Sequence, residues 1–287
     1  MKPKQVYLLG ALICCLISLS SCNNEENTPL RFYNNVYEVP MGGTRYLGLE
    51  SGNGDYELRI SDQRIASAQS ESGWSTPGGS AIYVRGILTG KTNLTVTDKA
   101  TLESCVIEIK VVDNYQNLRL MRGSTSLSPD GSSTILPGIS DVFLINNPAR
   151  DAYFFKQGVQ TAFSSGLELI AKGSYELTQL PDDQQSNNQG DSNTQKAMIT
   201  LTYANNGSTQ STHHEFIMWA NPYVLHRLNK TLSLNWDTTP IGYNRTSVAP
   251  PPSYVLEEVT GQGEGNKISF VFSEIEMPAG ILPVPVP

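Results

Sequence analysis

The chain has 287 residues, a formal net charge of −7 and a sequence pI near 5.0. Charged residues make up 16% of the sequence, against ~25% in average soluble domains, so the composition disfavours coiled coils and long helical assemblies. The acidic balance excludes a general affinity for nucleic acid or anionic lipid. At roughly 150 residues per domain, the length predicts about two domains.

Residues 1–21 predict a lipoprotein signal peptide. Lys2 and Lys4 form a basic start, and the apolar stretch 6–17 is shorter than the ~20 residues that a bilayer-spanning helix needs. The segment Leu19-Ser20-Ser21-Cys22 resembles the bacterial lipobox, whose cysteine is acylated before cleavage. The resemblance implies a lipid on Cys22, which would attach the mature chain to a membrane because two or more acyl chains give stable anchoring.

Residues 22–29 form a polar tether with no apolar periodicity. Glu25 and Glu26 resemble the acidic export signal that carries Bacteroidetes lipoproteins to the outer face of the outer membrane. This resemblance implies a lipid-anchored, surface-exposed protein of the cell outer membrane. A solvated acidic linker is the alternative interpretation.

Residues 30–113 alternate apolar and polar side chains between closely spaced turns, which predicts an immunoglobulin-sized β-sandwich. Four segments in this order resemble a bacterial Ig-like domain of the BIg2 type: residues 51–58, 61–66, 82–86 and 90–98. The resemblance implies an adhesive module or spacer without catalytic residues. The Ser/Gly/Pro-rich stretch 69–79, which contains Trp74, departs from the family by its length.

Residues 114–287 predict a second β-rich domain, either a sandwich or a barrel, so the predicted fold class is all-β. Its strands include residues 141–145, 152–155 and 197–203, and a hairpin of 254–259 with 267–272. Residues 215–228 fit a strand or a helix equally well. We expect a mobile loop at 181–195, which contains few apolar residues, and an extended proline-rich tail at 281–287 that packs along an edge or hangs free.

Catalytic and metal-binding patterns are weak in this sequence, and we predict no catalytic site, no metal site and no cofactor. The strongest metal candidates are His213, Glu215 and His226, for which solvated or hydrogen-bonded side chains are the favoured interpretation. Cys105 follows strand alternation without a basic neighbour, so we interpret it as a small core residue.

Aromatic residues are the better candidates for ligand binding, because a sugar ring stacks its apolar face on an aromatic side chain. The candidates are Trp74, Trp219, Tyr223 and Trp236. Asn221 lies between Trp219 and Tyr223 and would bond sugar hydroxyls. For Trp219 and Trp236, which lie among strand-like residues, burial in the core is the favoured alternative to ligand binding. Thr238 lies in Asp237-Thr238-Thr239, which resembles the Bacteroidetes O-glycosylation motif.

Three functions remain open from the sequence. The preferred one is a non-enzymatic binding module for a polysaccharide or an envelope protein, with the Ig-like domain as a spacer. The alternative is a fimbria-like subunit or assembly anchor, because Bacteroidetes fimbrillins are also lipoproteins with two β domains and the tail 281–287 would be offered to a neighbour. An uncharacterised hydrolase is the third.

Overall fold

The computed structural model describes residues 28–121, 138–159, 166–180, 195–205, 210–236, 253–259, 267–273 and 275–284. These residues form seventeen strands and one helix, so the predicted all-β class is confirmed. Cys22, Glu25, Glu26, Thr238 and residues 181–194 of the expected loop lie outside the described residues. The chain divides into two compact units.

The N-terminal strands form three sheets. Strands β2, β9, β8 and β5 form one sheet in that order, β3, β7 and β6 form a second, and β1 pairs with β4. The strands are β1 (Arg31–Phe32), β2 (Val36–Pro40), β3 (Thr44–Leu47), β4 (Leu49–Ser51), β5 (Tyr56–Ile60), β6 (Ala66–Ser72), β7 (Ser80–Gly86), β8 (Gly90–Asp98) and β9 (Ser104–Val112).

Period-two burial builds the core of these sheets. In β8, Leu94 and Val96 are fully buried while Asn93 on the same strand is exposed, and Ile107 and Ile109 of β9 are also fully buried. Side chains two apart on a strand project to one face, so β8 and β9 give their sheet one buried apolar face and one more exposed face. This is the arrangement that the sequence alternation predicts for a β-sandwich.

The C-terminal strands close into an eight-stranded antiparallel barrel, in the order β10 to β17 with β10 paired to β17. The barrel decides between the two architectures that the sequence left open. The predicted hairpin is confirmed, since Tyr254 pairs with Phe270. The strands are β10 (Tyr115–Leu120), β11 (Asp141–Ile145), β12 (Asp151–Gln157), β13 (Leu167–Gln179), β14 (Gln195–Asn205), β15 (Thr212–Ala220), β16 (Ser253–Glu258) and β17 (Lys267–Ser273).

One end of the barrel is packed by the helix α1 (Pro222–Leu232). Strand β15 ends at Ala220, and the Asn221 side chain accepts a hydrogen bond from Val224 N at 2.9 Å, which caps the helix. Proline at the first helical position needs no N–H partner there. The ambiguous segment 215–228 is therefore a strand followed by a helix, and α1 buries apolar side chains such as Leu225 and Leu228 in the barrel core.

The C-terminal segment 275–284 packs over the outer face of the barrel. Met277 and Leu282 are buried with Phe143 and Phe155 of the barrel wall, and Met277 N donates to the Tyr115 hydroxyl at 3.2 Å. A closed barrel has no strand edge, so this part of the tail covers a face and does not follow an edge or hang free. No described helix has the length and apolar character needed to cross a bilayer.

Candidate ligand-binding surface

Three aromatic side chains of the first unit form a row on the solvent face of the sheet β3-β7-β6. The ring centroids of Tyr46 and Tyr83 are 5.9 Å apart, and those of Trp74 and Tyr83 are 6.4 Å apart. Trp74 is 49% exposed and Tyr46 is 40% exposed. We call Tyr46, Tyr83 and Trp74 the aromatic row.

Strand alternation and one tight turn position these rings. Ile82 and Val84 of β7 are fully buried, so Tyr83 between them projects to the opposite face. Trp74 follows β6 in a turn that is closed by a hydrogen bond from Gly73 N to Gly79 O at 3.1 Å. Gly73 has φ +85°, a backbone conformation that residues with a side chain rarely adopt, so glycine is needed where the strand turns toward the tryptophan.

The rings do not form a flat platform. The planes of Tyr46 and Tyr83 meet at 58°, and those of Trp74 and Tyr83 at 69°. Tilted and edge-to-face contacts are favourable, so the rings hold one another in place before any ligand arrives. Gln69 and Glu71 are exposed on β6 of the same sheet, where an amide and a carboxylate supply polar groups beside the apolar rings. The surface can accept a ligand that is partly apolar and partly hydroxylated.

The other aromatic candidates lie on the barrel. Trp219 is half-buried, and Lys196 Nζ lies 4.4 Å from its ring centroid, so a cation occupies one ring face. Trp236 packs against the barrel core, and Asn229 bonds both its backbone N and its backbone O. Tyr223, in the first turn of α1, is 45% exposed. Asn221, expected to bond a sugar, instead caps the helix, which is a correction to the sequence interpretation.

Two of the three candidate metal ligands, His213 and Glu215, lie together, and the third does not join them. His213 Nε2 lies 3.5 Å from Glu215 Oε1, and His213 Nδ1 lies 3.1 Å from Thr202 Oγ1. His226 is on α1, which follows the opposite end of β15. Within the described ranges no group of three or more His, Cys, Asp or Glu side chains is arranged to hold a metal ion. Burial raises the pKa of the half-buried Cys105 thiol, which lowers its nucleophilicity at neutral pH.

Sequence reasoning missed three residues. Tyr46 and Tyr83 lie on strands and had no assigned role. Each lies beside a buried aliphatic residue on its strand, and this alternation places the tyrosine on the solvent face. The third residue is His214, next to His213. Its Nδ1 lies 3.0 Å from Glu258 Oε1, and its ring stacks between Tyr203 and Phe216 in the barrel end opposite α1.

No protein-family model matches the chain, and no curated protein matches it. Among solved structures, the chain resembles S-layer protein SbsC domains 5–6, with 14% identity, a TM-score of 0.24 and coverage of 66% of this chain and 98% of that one. It also resembles SbsC domains 4 and 5, with 15% identity, a TM-score of 0.23 and coverage of 29% of this chain and 50% of that one. The chain therefore spans half of the latter structure.

Proposed function

We propose that this protein is a lipid-anchored, non-enzymatic binding protein of the bacterial outer membrane, exposed at the cell surface, and that the aromatic row contacts a glycan. The observation that carries the proposal is Trp74, half-exposed yet held against Tyr83. Exposing half of an indole ring to water forgoes hydrophobic stabilisation that burial would supply. A ligand that covers the indole ring would remove this apolar surface from water and so gain that stabilisation on binding.

A glycan fits the chemistry of this surface. Sugar C–H groups stack on aromatic rings, and sugar hydroxyls bond to amide and carboxylate side chains such as Gln69 and Glu71. Because the rings are tilted by 58° and 69°, they suit a flexible glycan chain or branch better than the flat face of a crystalline polysaccharide. The proposed ligand is therefore a soluble oligosaccharide or polysaccharide.

The anchor and the location rest on the N-terminal sequence. The lipobox-like Leu19-Ser20-Ser21-Cys22 supports a lipid on Cys22, and Glu25-Glu26 supports export to the outer face. Proteinase K treatment of intact cells, followed by an antibody to the C-terminal unit, tests the location. We expect digestion of the wild type and protection of the Glu25→Ala/Glu26→Ala protein. A wild type that resists digestion until the outer membrane is opened contradicts surface exposure.

Retention on immobilised polysaccharides tests the aromatic row. We expect Trp74→Ala to lose retention with an unchanged denaturation midpoint, because the half-exposed ring contributes little to folding. Tyr223→Ala is the matched control, since Tyr223 is similarly exposed on the other unit, and it should bind as the wild type does.

Trp74→Phe keeps an aromatic ring, so it should retain part of the binding and remains informative if Trp74→Ala folds poorly. Full retention by Trp74→Ala, or loss in Tyr223→Ala alone, contradicts the assignment of the site. If the aromatic row binds a protein and no glycan, the row is still the binding site, but the proposed class of ligand is wrong.

A further inference from the structure

Strand β6 is the terminal strand of the sheet β3-β7-β6, and its outer edge is open. Within the described ranges, Ala66 N at the start of this edge donates to Asp62 O at 3.4 Å, and no backbone hydrogen bond joins the edge from Ala68 to Ser72 to another segment. Natural edge strands are usually protected by lysine, proline or a bulge. β6 has the sequence Ala-Ser-Ala-Gln-Ser-Glu-Ser, with no lysine or proline, and five of its seven residues are exposed. The edge is therefore available to another strand.

The groups that face the open edge follow from the turn after β6. Gly73 N donates to Gly79 O, so the N–H of Gly73 points toward β7. Successive N–H groups alternate in direction along a strand, so those of Gln69 and Glu71 also point toward β7. The N–H and C=O groups of Ala68, Ser70 and Ser72 therefore point outward, with Ser70 at the centre of the set.

We propose that β6 pairs with β6 of a second copy of this chain, antiparallel and centred on Ser70. In this register Ser70 lies opposite Ser70, and Gln69 lies opposite Glu71 of the second copy on the exposed face. Two-fold symmetry makes this Gln–Glu contact twice, and an amide donates well to a carboxylate. A register centred between Ser70 and Ser72 would place Glu71 opposite Glu71, which like-charge repulsion disfavours.

The pairing joins two three-stranded sheets into one of six strands. Residues directly opposite each other in an antiparallel pair project to the same side, so both aromatic rows lie on one face. A seven-residue edge is about 23 Å long and buries less than the ~800 Å² per partner of a standard interface, so the dimer is weak in dilute solution. Two linked binding surfaces raise the apparent affinity for a repeating polymer. The pairing itself does not depend on the proposed ligand.

Sedimentation of the full-length protein over a wide concentration range tests the pairing. We expect a monomer–dimer equilibrium in the wild type. Gln69→Glu places two like-charged pairs at the interface and should raise the dissociation constant about fivefold, whereas Gln69→Lys should lower it by a similar factor. A monomer at every concentration, or equal constants for the two variants, overturns the proposal.

Three substitutions of Ser70 test the register. Ser70→Pro removes an outward N–H and leaves the β7 bonds in place, so it should abolish dimerisation without changing the denaturation midpoint, and Ser70→Ala should keep the dimer. In a Cys105→Ala background, Ser70→Cys should form a disulfide-linked dimer, because directly hydrogen-bonded partners have Cα atoms about 5.5 Å apart. Ser67→Cys, opposite Gly73, should not. Dimerisation of Ser70→Pro, or equal cross-linking at both positions, overturns the register.

Discussion

Two buried tyrosines of the barrel interior should respond in opposite directions to loss of their hydroxyl groups. Tyr254 is 2% exposed, packs between Phe270 and Phe272, and its hydroxyl has no hydrogen-bond partner among the described residues. The Tyr175 hydroxyl, by contrast, donates to Ile145 O at 3.0 Å. Arg150 Nη1 lies 3.3 Å from the same hydroxyl.

The magnitudes follow from the cost of burying a polar group. A buried hydroxyl without a partner costs about 1–3 kcal/mol, so Tyr254→Phe should raise the free energy of unfolding by about 1 kcal/mol after a small loss of packing. Tyr175→Phe removes one of two hydrogen bonds to Ile145 O, which also accepts from Asn147 N at 3.0 Å, so it should lower the free energy of unfolding by about 1 kcal/mol. Urea unfolding followed by tryptophan fluorescence measures both midpoints. Shifts of both midpoints in the same direction would contradict the different hydrogen bonding of the two hydroxyl groups.

The pH dependence gives an independent check on Tyr254. Burial raises the pKa of Tyr254 well above its ordinary value, because the folded barrel favours the neutral phenol. Below about pH 10 the phenol is neutral in both the folded and the unfolded protein, so ionisation does not affect stability. Above about pH 10 the phenol ionises in the unfolded chain first, so the free energy of unfolding of the wild type falls as the pH rises toward the folded pKa. Tyr254→Phe lacks this ionisation, so its advantage over the wild type in free energy of unfolding should widen above about pH 10.

Three further predictions concern the C-terminal end of α1, the exposed Asp62 carboxylate and the lipid anchor at Cys22. Arg150 Nη1 donates to Leu232 O at 2.6 Å, so Arg150→Met should lower the free energy of unfolding by about 2 kcal/mol in urea, and Arg150→Lys by less; equal losses would contradict a guanidinium cap. Hydrogen bonds from Arg64 lower the pKa of Asp62 to about 2, so Arg64→Gln should move it toward about 3.9 in an NMR titration. The stabilisation by this pair is present above about pH 4 and lost as the pH falls through about 2; an unmoved pKa would refute it. Cys22→Ala should abolish palmitate labelling and release the protein from membranes, while Cys105→Ala should change neither.

Local patterns predicted much of this fold, because the alternation of apolar and polar residues along a strand depends only on residues that are close in sequence. The strands around Leu94 and Ile107 and the hairpin of Tyr254 with Phe270 follow from period two and turn chemistry. The closure of the barrel does not, since it depends on pairing between Leu118 and Phe272, which are distant in sequence. The choice between strand and helix after Ala220 depended on the Asn221 cap and on burial of Leu225, neither of which periodicity alone decides.

The candidate surface was predictable only in part. Trp74 stood out because a loop rich in glycine, serine and proline is a poor place to bury an indole ring. Its partners Tyr46 and Tyr83 lie on two other strands, and strand order in the sheet brings the three together. Without that order, a tyrosine on a strand cannot be assigned to the solvent face beside a particular tryptophan.

Adhesion of intact cells to an immobilised polysaccharide requires surface exposure and ligand contact together, so it tests both parts of the proposed function in one experiment. The strains compared would carry the wild type, Trp74→Ala or Tyr223→Ala at equal surface levels. We expect the wild type and Tyr223→Ala cells to adhere and the Trp74→Ala cells not to adhere. Equal adhesion by all three strains would contradict binding through the aromatic row.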